Sequence, residues 1–175
     1  MRVQIPLRVR WAVDTLDIQP HERILEVGCG RGAALALICE RLHDGRVIGV
    51  DRSAIALAAA QTRLNEPLQG GKARLFRAAL AQLELHETFD KIFAINVNIF
   101  WTHPTRELAI IRRALAPGGR LYLFYEPPSS LQAERLRLAC RAGLEEAGYE
   151  IIAVLAADLQ SKLGLGFVSR PPVWA

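Results

Sequence analysis

The sequence predicts an α/β protein: a single domain whose mostly parallel sheet is covered by helices on both faces. Five short apolar runs alternate with longer segments of helix-forming residues, which is typical of parallel strands joined by helices. Two further apolar runs near the C-terminus have no helical segment between them, and they predict an antiparallel pair at one edge of the sheet. With 175 residues, the chain is long enough for the core of one domain but hardly of two.

Local patterns define each element. Apolar runs bounded by glycine, proline or polar residues indicate strands, and stretches rich in alanine and leucine indicate helices. The predicted strands cover residues 23–27, 46–51, 73–77, 89–97, 120–125, 149–155 and 165–169. The predicted helices cover residues 10–16, 33–42, 54–64, 79–85, 104–116 and a long segment from Ser129 or Ser130 to Ala147. We expect Ser53 to cap the third helix, residues 65–71 to interrupt the helical pattern, and residues 117–119 to end the helix before them.

The composition excludes several classes of protein. Hydrophobic residues make up 51% of the chain and charged residues 23%, which excludes a disordered chain. The net charge is +4 and the basic residues are dispersed, so we expect a solvated cationic surface rather than a nucleic-acid footprint. Three cysteines without zinc-ligand spacing predict free thiols in a reducing compartment and no metal site. Because no signal peptide and no apolar stretch of about 18 residues is present, we expect a cytoplasmic protein that does not enter a membrane.

A glycine-rich turn after the first predicted strand carries the strongest functional signal. It reads Glu26-Val-Gly-Cys-Gly-Arg-Gly32 and precedes a helix, at the end of the strand where open α/β sheets bind ligands. Glycine lacks a Cβ atom, so the backbone can turn sharply there and approach a ligand closely. Asp51 ends the second predicted strand, where a carboxylate can accept hydrogen bonds from the two hydroxyls of a ribose. A helix N-cap is the alternative role for Asp51.

The spacing of the glycines bears on which nucleoside cofactor could bind. The dinucleotide fingerprint Gly-x-Gly-x-x-Gly is not matched, because the third glycine comes one residue early and Ala33 occupies its usual place. Glu26 lies two positions before Gly28, where a carboxylate disfavours a pyrophosphate and favours a ligand with an ammonium group. An NAD-dependent oxidoreductase is therefore disfavoured. A Walker-type phosphate loop is excluded, since no Gly-Lys-Ser/Thr follows the turn.

Four segments resemble the motifs of the class I S-adenosylmethionine-dependent methyltransferases, and the resemblance covers about residues 20–170. The segments are Glu26-Val-Gly-Cys-Gly-Arg-Gly32, Val47-Ile-Gly-Val-Asp51, Phe89-Asp-Lys-Ile-Phe-Ala-Ile-Asn96 and Leu115-Ala-Pro-Gly-Gly-Arg-Leu121. The resemblance implies a Rossmann-like core over residues 20–175. This core would be a three-layer αβα sandwich whose seven-stranded sheet has the order 3-2-1-4-5-7-6, with strand 7 antiparallel. Residues 1–19 would form an N-terminal segment that folds over the cofactor as a lid.

The resemblance also implies a binding site for S-adenosylmethionine. Glu26 would hold the amino group of the cofactor, and Asp51 would bind the ribose hydroxyls. Asn96, at the end of the fourth strand, would lie beside the methionyl group and the reacting centre. The remaining implied cofactor contacts are Gly28, Cys29, Gly30, Gly32, Arg52, Ala79 and Leu80.

Two of these positions need comment. Many family members place an aspartate after the third strand to bind the adenine amino group, but this chain has Ala79 there. Adenine recognition would then depend on backbone groups or on Gln82, and the lost hydrogen bond would cost about 0.5–1.5 kcal/mol. We expect Cys29 to serve as a small apolar residue, because a reactive thiol needs a lowered pKa.

The methyl acceptor would lie where the loops after the fourth and fifth strands meet. Positioning alone can supply about 7–11 kcal/mol, so no catalytic residue is predicted. Phe100 and Trp101 would line either an aromatic pocket or the core. Glu126 would be a general base, a partner for a cationic substrate or a solvated loop carboxylate, and His103 a base or a surface residue. The predicted substrate-binding residues are Asn98, Trp101, Tyr125 and Glu126.

These features predict an S-adenosylmethionine-dependent methyltransferase that acts by in-line transfer on a small-molecule acceptor. RNA remains an alternative acceptor because the chain is basic, and protein is a third. A non-catalytic module that keeps the cofactor or only the fold is a further alternative, favoured by Ala79 and by the lack of an obvious base. A monomer and a homodimer both fit the sequence.

Overall fold

A seven-stranded sheet with the order β3-β2-β1-β4-β5-β7-β6 forms the centre of the protein. The computed structural model describes residues 5–83 and 86–172. Strands β1 to β5 pair in parallel, and β7 is antiparallel to both of its neighbours. The predicted fold class and strand order are therefore confirmed. The strands are β1 (Arg23–Val27), β2 (Arg46–Asp51), β3 (Ala73–Arg77), β4 (Phe89–Ile95), β5 (Leu115–Tyr125), β6 (Glu150–Asp158) and β7 (Leu163–Arg170).

Helices cover both faces of the sheet, and each face has its own apolar core. On β4, Ile92 contributes to the core beneath one group of helices and Phe93 to the core on the opposite face, as the alternation of side chains along a strand requires. The helices α1, α2 and α3 pack on the Phe93 side, and α6 and α7 pack on the Ile92 side. The helices are α1 (Leu7–Thr15), α2 (Ala33–Cys39), α3 (Ala54–Arg63), α4 (Asn65–Gln69), α5 (Ile99–Thr102), α6 (Thr105–Ala114) and α7 (Ser130–Glu146), and Leu80–Gln82 form a short 3-10 helix.

Several parts of the chain differ from the sequence prediction. In the described part of the helix predicted over residues 79–85, only the 3-10 helix Leu80–Gln82 forms, and α5 was not predicted. Residues 65–71 were expected to interrupt the helical pattern, but Asn65–Gln69 form α4. Pro67 lies in the first turn of this helix, where a missing N–H removes no intrahelical hydrogen bond. The helix predicted over residues 104–116 ends at Ala114, and β5 starts directly at Leu115. Pro117, Gly118 and Gly119 lie within β5, where a shift in the register against β4 accommodates them, and they do not end a helix.

The N-terminal segment is part of the core in its described portion. Ala12, Val13 and Leu16 are fully buried with α2 and α3 in the Phe93-side core, and the Trp11 ring packs edge-on against Phe124 at 5.2 Å between ring centroids. Residues 1–4 of the predicted lid lie outside the described residues, and closure of a lid over residues 1–19 stays a prediction. Across residues 5–83 and 86–172, no helix is both long and apolar enough to cross a lipid bilayer.

The order of the strands determines where a ligand can bind. Connections from β1 run outward through β2 to β3 on one side, and β4 begins the other half of the sheet on the opposite side of β1. The crevice at the carboxyl ends of β1 and β4 is thus the topological switch point, where open α/β sheets bind ligands. The loops that follow β1, β2, β4 and β5 meet at this edge.

Candidate active site

The glycine turn after β1 has a backbone conformation that other residues adopt only with strain. Gly28, Gly30 and Gly32 all have positive φ angles, of 75°, 53° and 71°. The N–H groups of Gly28 and Cys29 both donate to the carbonyl of Val50, which holds the turn against the end of β2. A Cβ atom on Gly28 would come within 2.6 Å of Val97 Cγ2, so the position also needs glycine for space. The turn is therefore a fixed, bare stretch of backbone.

Asp51 connects the glycine turn to the start of α3. Its Oδ2 accepts from the Gly30 N–H and its Oδ1 from the Ser53 N–H, each at 2.8 Å. A carboxylate has about four acceptor positions, so both oxygens can still accept from a ligand. The N-cap of α3 is Ser53, whose Oγ accepts from the Ala56 N–H at 3.2 Å, as predicted. Asp51 is not that cap, and the alternative role considered for it is therefore not the one observed.

Glu26 is a buried carboxylate with an open hydrogen-bonding position. Its residue is 3% exposed, and its Oε2 has no hydrogen-bond partner in the described part of the chain. Burial, and secondly the negative charge of Asp51, raises the pKa of Glu26 well above its ordinary value of 4.5. An unsatisfied buried acceptor costs about 1–3 kcal/mol, more when it is charged, and needs an explanation. A cationic group placed beside the glycine turn would donate the hydrogen bond that Glu26 Oε2 lacks. The site therefore fits a ligand with an ammonium group.

A cleft of about 590 Å³ opens beside these residues, between the ends of β1, β2 and β4 and the 3-10 helix. Glu107, from the first turn of α6, also lines it and was not predicted from the sequence. Gln82, the alternative for adenine recognition, is exposed and lies outside this lining. The predicted cofactor residues that line the cleft are Gly28, Asp51, Arg52, Ala79, Leu80 and Asn96, whereas Glu26, Cys29, Gly30 and Gly32 are not part of its lining.

Cys29 lies in the turn but points into the protein interior. It is buried, and its Sγ packs against Gly49 of β2, where an added Cβ atom would come within 2.9 Å of that Sγ. Burial raises the pKa of the Cys29 thiol, and the charges of Glu26 and Asp51 raise it further. These features agree with a small apolar residue and not with a reactive thiol. Within the described ranges, no group of three or more potential ligands is placed to hold a metal ion.

Asn96 links the loops after β4 and β5. Its φ angle is 55°, a left-handed conformation that asparagine tolerates better than most residues. Its N–H donates to the carbonyl of Phe124, and its Oδ1 accepts from the Glu126 N–H, both at 2.8 Å. A strained residue held by two hydrogen bonds at the mouth of a cleft is typical of functional sites.

Some of the residues predicted to bind the acceptor lie at the cleft, and others are buried in the core. Asn98 lines the cleft, and its Oδ1 accepts from Trp101 Nε1 at 3.3 Å, so these two side chains lie together. Phe100 is buried in the core. Tyr125 is only 3% exposed, and its hydroxyl donates to the Val97 carbonyl beneath the loop. The structure thus does not bring the Tyr125 side chain to the cleft, and burial raises the pKa of its hydroxyl well above the ordinary value.

Glu126 is neither an open base nor a solvated loop carboxylate. Its Oε1 accepts from Lys162 Nζ at 2.9 Å, and its Oε2 lies 3.6 Å from Arg8 Nη1. The hydrogen bond from Lys162 is the largest of the effects that lower the pKa of Glu126, and Arg8 adds to it. The carboxylate is therefore ionised and compensated at neutral pH. Both cations escaped the sequence analysis, because they come from distant parts of the chain and belong to no motif. His103 is exposed and does not line the cleft.

Comparisons with known proteins agree with this architecture. The model of a family described as a methyltransferase domain matches residues 24–119, more than half of the chain. The uncharacterized methyltransferase YdaC of Bacillus subtilis is 26% identical over 168 residues, covering 93% of this chain and 91% of that protein. A trans-aconitate 2-methyltransferase of Methylobacterium nodulans is 31% identical over 170 residues, and the match covers 95% of this chain but only 62% of that protein.

A solved structure shows that the likeness extends to the fold. The S-adenosylmethionine-dependent methyltransferase of Geobacter sulfurreducens, in complex with S-adenosyl-L-homocysteine, has a TM-score of 0.71 with this chain at 15% sequence identity. The match covers 98% of this chain and 94% of that structure. Together with the family match, the motif order and the strand order, this likeness identifies the chain as a member of the class I S-adenosylmethionine-dependent methyltransferases.

Proposed function

We propose that this protein transfers the methyl group of S-adenosylmethionine to a small-molecule acceptor bound beside the cleft. The observation that carries the proposal is the open Oε2 of the buried Glu26, which lies behind a bare glycine turn. An ammonium group is the partner that such a carboxylate lacks, and the methionyl end of this cofactor carries one. Glu26 therefore fits the ammonium of the cofactor by its chemistry, and Val27 and Gly28, which follow it in the chain, line the cleft.

The other half of the cofactor has matching partners. The free acceptor positions of Asp51 suit the ribose hydroxyls, because the carboxylate is already oriented by Gly30 and Ser53. Arg52, Ala79 and Leu80 line the end of the cleft at which we place the adenine. With alanine at position 79, apolar contact and backbone groups take over the recognition for which many relatives use a carboxylate.

When bound, S-adenosylmethionine supplies a methyl group that its sulfonium already activates. The remaining work of the chain is to hold the acceptor in line with that methyl group and to exclude water. Asn96 and Asn98, which line the cleft after β4, are placed to orient the acceptor by hydrogen bonds. Trp101 supports Asn98 through its indole N–H. In this account Glu126 does not remove a proton, because Lys162 and Arg8 occupy its oxygens and, by lowering its pKa, make it a weaker base.

Two observations support a small molecule as acceptor. The cleft of about 590 Å³ is of the size that small-molecule sites have. A relative that matches nearly the whole of this chain is named a trans-aconitate 2-methyltransferase, and trans-aconitate is a small organic acid. We therefore place trans-aconitate among the first compounds to be assayed.

Methyl transfer from tritiated S-adenosylmethionine tests the proposal. The purified protein is incubated with a cell extract that has been divided into small-molecule, protein and nucleic-acid fractions. We expect label in the small-molecule fraction, and an Asp51→Ala variant should lose most of it. Asp90→Ala is the matched control, because Asp90 also accepts from a backbone N–H, that of Arg23, but lies near the start of β4, at the opposite edge of the sheet from the cleft. Label in the protein or RNA fraction alone would refute a small-molecule acceptor, and binding of the cofactor without any transfer would refute catalysis.

A further inference from the structure

Three charged side chains from distant parts of the chain meet beside the cleft. Arg8 comes from α1, Glu126 follows β5, and Lys162 lies in the turn between β6 and β7. The backbone N–H of Glu126 donates to the Oδ1 of Asn96, which itself lines the cleft. The cluster of Arg8, Glu126 and Lys162 does not line the cleft itself, but it adjoins Asn96, on the side of the cleft where we place the acceptor.

The cluster presents positive charge to the solvent. The Glu126 side chain is 14% exposed, whereas those of Arg8 and Lys162 are 35% and 66% exposed. The carboxylate thus lies beneath the two cations and holds them side by side. Two cations and one anion leave a net charge of +1 at the surface of the cluster.

The two cations keep hydrogen-bond donors for a ligand. A lysine ammonium has three donors and an arginine guanidinium has five, and each side chain has one recorded contact with Glu126. The contact of Arg8 is long, at 3.6 Å, so Arg8 is held mainly by charge. An arginine fork is suited to a planar oxyanion.

We propose that Arg8 and Lys162 bind a carboxylate group of the methyl acceptor, with Glu126 as the residue that positions them. This inference rests on the proposed function and specifies its acceptor as an organic acid. A single carboxylate balances the net charge of the cluster, whereas a phosphate group would bring a charge of about −1.5 to −2. The charge balance therefore favours a carboxylate over a phosphate.

The charge of the acceptor can be tested without knowing its identity. The small-molecule fraction of an extract is passed over an anion exchanger at neutral pH, which divides it into a retained half and an unretained half. Each half is then supplied as the source of acceptor, together with tritiated S-adenosylmethionine. We expect the labelled product only from the retained, anionic half. That half should lose its acceptor when its carboxylates are converted to amides with carbodiimide and methylamine, but not after phosphatase treatment. Label from the unretained half, or a loss caused by phosphatase alone, would overturn the proposal.

Variants then connect the anionic acceptor to the cluster. Lys162→Gln and Arg8→Gln should each lower transfer at limiting acceptor by about 10-fold, the effect of one hydrogen bond to a charged group. Binding of S-adenosylhomocysteine should not change, which separates this inference from the proposed cofactor site. Arg141→Gln is the control, because Arg141 forms a similar surface pair with Glu145 on α7. Unchanged transfer by Lys162→Gln, whose exposed turn tolerates the substitution, would contradict the inference even if Arg8→Gln failed to fold.

Discussion

Two buried glutamates lie at opposite ends of β1, and their surroundings differ. At the amino end, Glu22 Oε2 accepts from Lys91 Nζ at 2.7 Å and from the Gln19 N–H at 2.9 Å. Lys91 Nζ also donates to the carbonyl of Asp17 at 2.7 Å. At the carboxyl end, Glu26 Oε2 has no such partner among the described residues, and the charge that acts on it is the like charge of Asp51.

The difference indicates that Glu22 stabilises the fold, whereas Glu26 is available to bind a ligand. The Glu22–Lys91 pair joins the start of β1 to β4, and its atoms are well supplied with partners. An open acceptor such as that of Glu26 destabilises the free protein by about 1–3 kcal/mol or more. Such costs are found at functional sites, where a ligand removes them. We therefore expect substitution of Lys91 at the amino end to lower stability, and substitution of Glu26 at the carboxyl end to weaken binding and, where Glu26 ionises, to raise stability.

The largest effect is expected from Lys91→Ala. Removal of one partner from a buried ion pair leaves the other charge uncompensated, at a cost of about 3–5 kcal/mol in the free energy of unfolding. Urea denaturation of the variant measures this loss. Lys72→Ala is the matched control, because Lys72 donates to two backbone carbonyls and its removal leaves no bare carboxylate. An equal loss in both variants would show that the Glu22 pair has no special part in stability.

The second effect is a pH dependence that belongs to Glu26. Because its pKa is raised in the folded protein, first by burial and then by Asp51, ionisation of Glu26 opposes folding. Protonated Glu26 makes its full contribution to the free energy of unfolding below pH 4.5, its ordinary pKa. That contribution is lost as the pH rises through the raised pKa of the folded protein. Within that window, Glu26→Gln should gain on the wild type by up to about 1.4 kcal/mol per pH unit. Thermal and urea unfolding from pH 4.5 to 8 measure the difference, and a difference independent of pH would contradict this account of Glu26.

The smallest effect is expected from Asp51→Ala. Loss of the hydrogen bonds to the ribose should weaken binding of S-adenosylhomocysteine about 10-fold, or about 1.4 kcal/mol. Isothermal titration calorimetry measures this change. The variant also frees the Gly30 N–H, so a circular dichroism melt should accompany the titration. Unchanged affinity in a folded variant would remove Asp51 from the site.

Much of the fold could be predicted because its determinants are local. The bounds of β1, β2 and β3 agree with the predicted ones, and Ser53 and Ser129 cap α3 and α7. The boundary between α6 and β5 could not be predicted, because the register shift against β4 is a tertiary feature. Local patterns do not indicate that a Pro-Gly-Gly segment continues a strand.

In the site too, residues that belong to a local sequence pattern could be predicted, and residues that only the tertiary fold brings together could not. The glycine turn and Asp51 were found because each follows a strand whose end could be recognised in the sequence. Tyr125 was placed at the acceptor although it shares a face of β5 with Leu121 and Leu123, both of them in the core under α6 and α7. Counting alternate positions along β5 would have shown that its ring is buried. Arg8 and Lys162 could not be found, because only the folded chain brings them to Glu126.

Binding of two ligands to the wild type and to Glu26→Gln tests the central claim most directly. S-adenosylhomocysteine carries the amino acid portion of the cofactor, whereas 5′-methylthioadenosine has the same nucleoside and a thioether but lacks the amino acid portion and therefore its ammonium group. If Glu26 holds the ammonium, the variant should bind S-adenosylhomocysteine about 30-fold more weakly, equal to about 2 kcal/mol, and 5′-methylthioadenosine as well as the wild type does. Equal changes for the two ligands, or no change for S-adenosylhomocysteine, would contradict the claim that this open carboxylate is the partner of the cofactor.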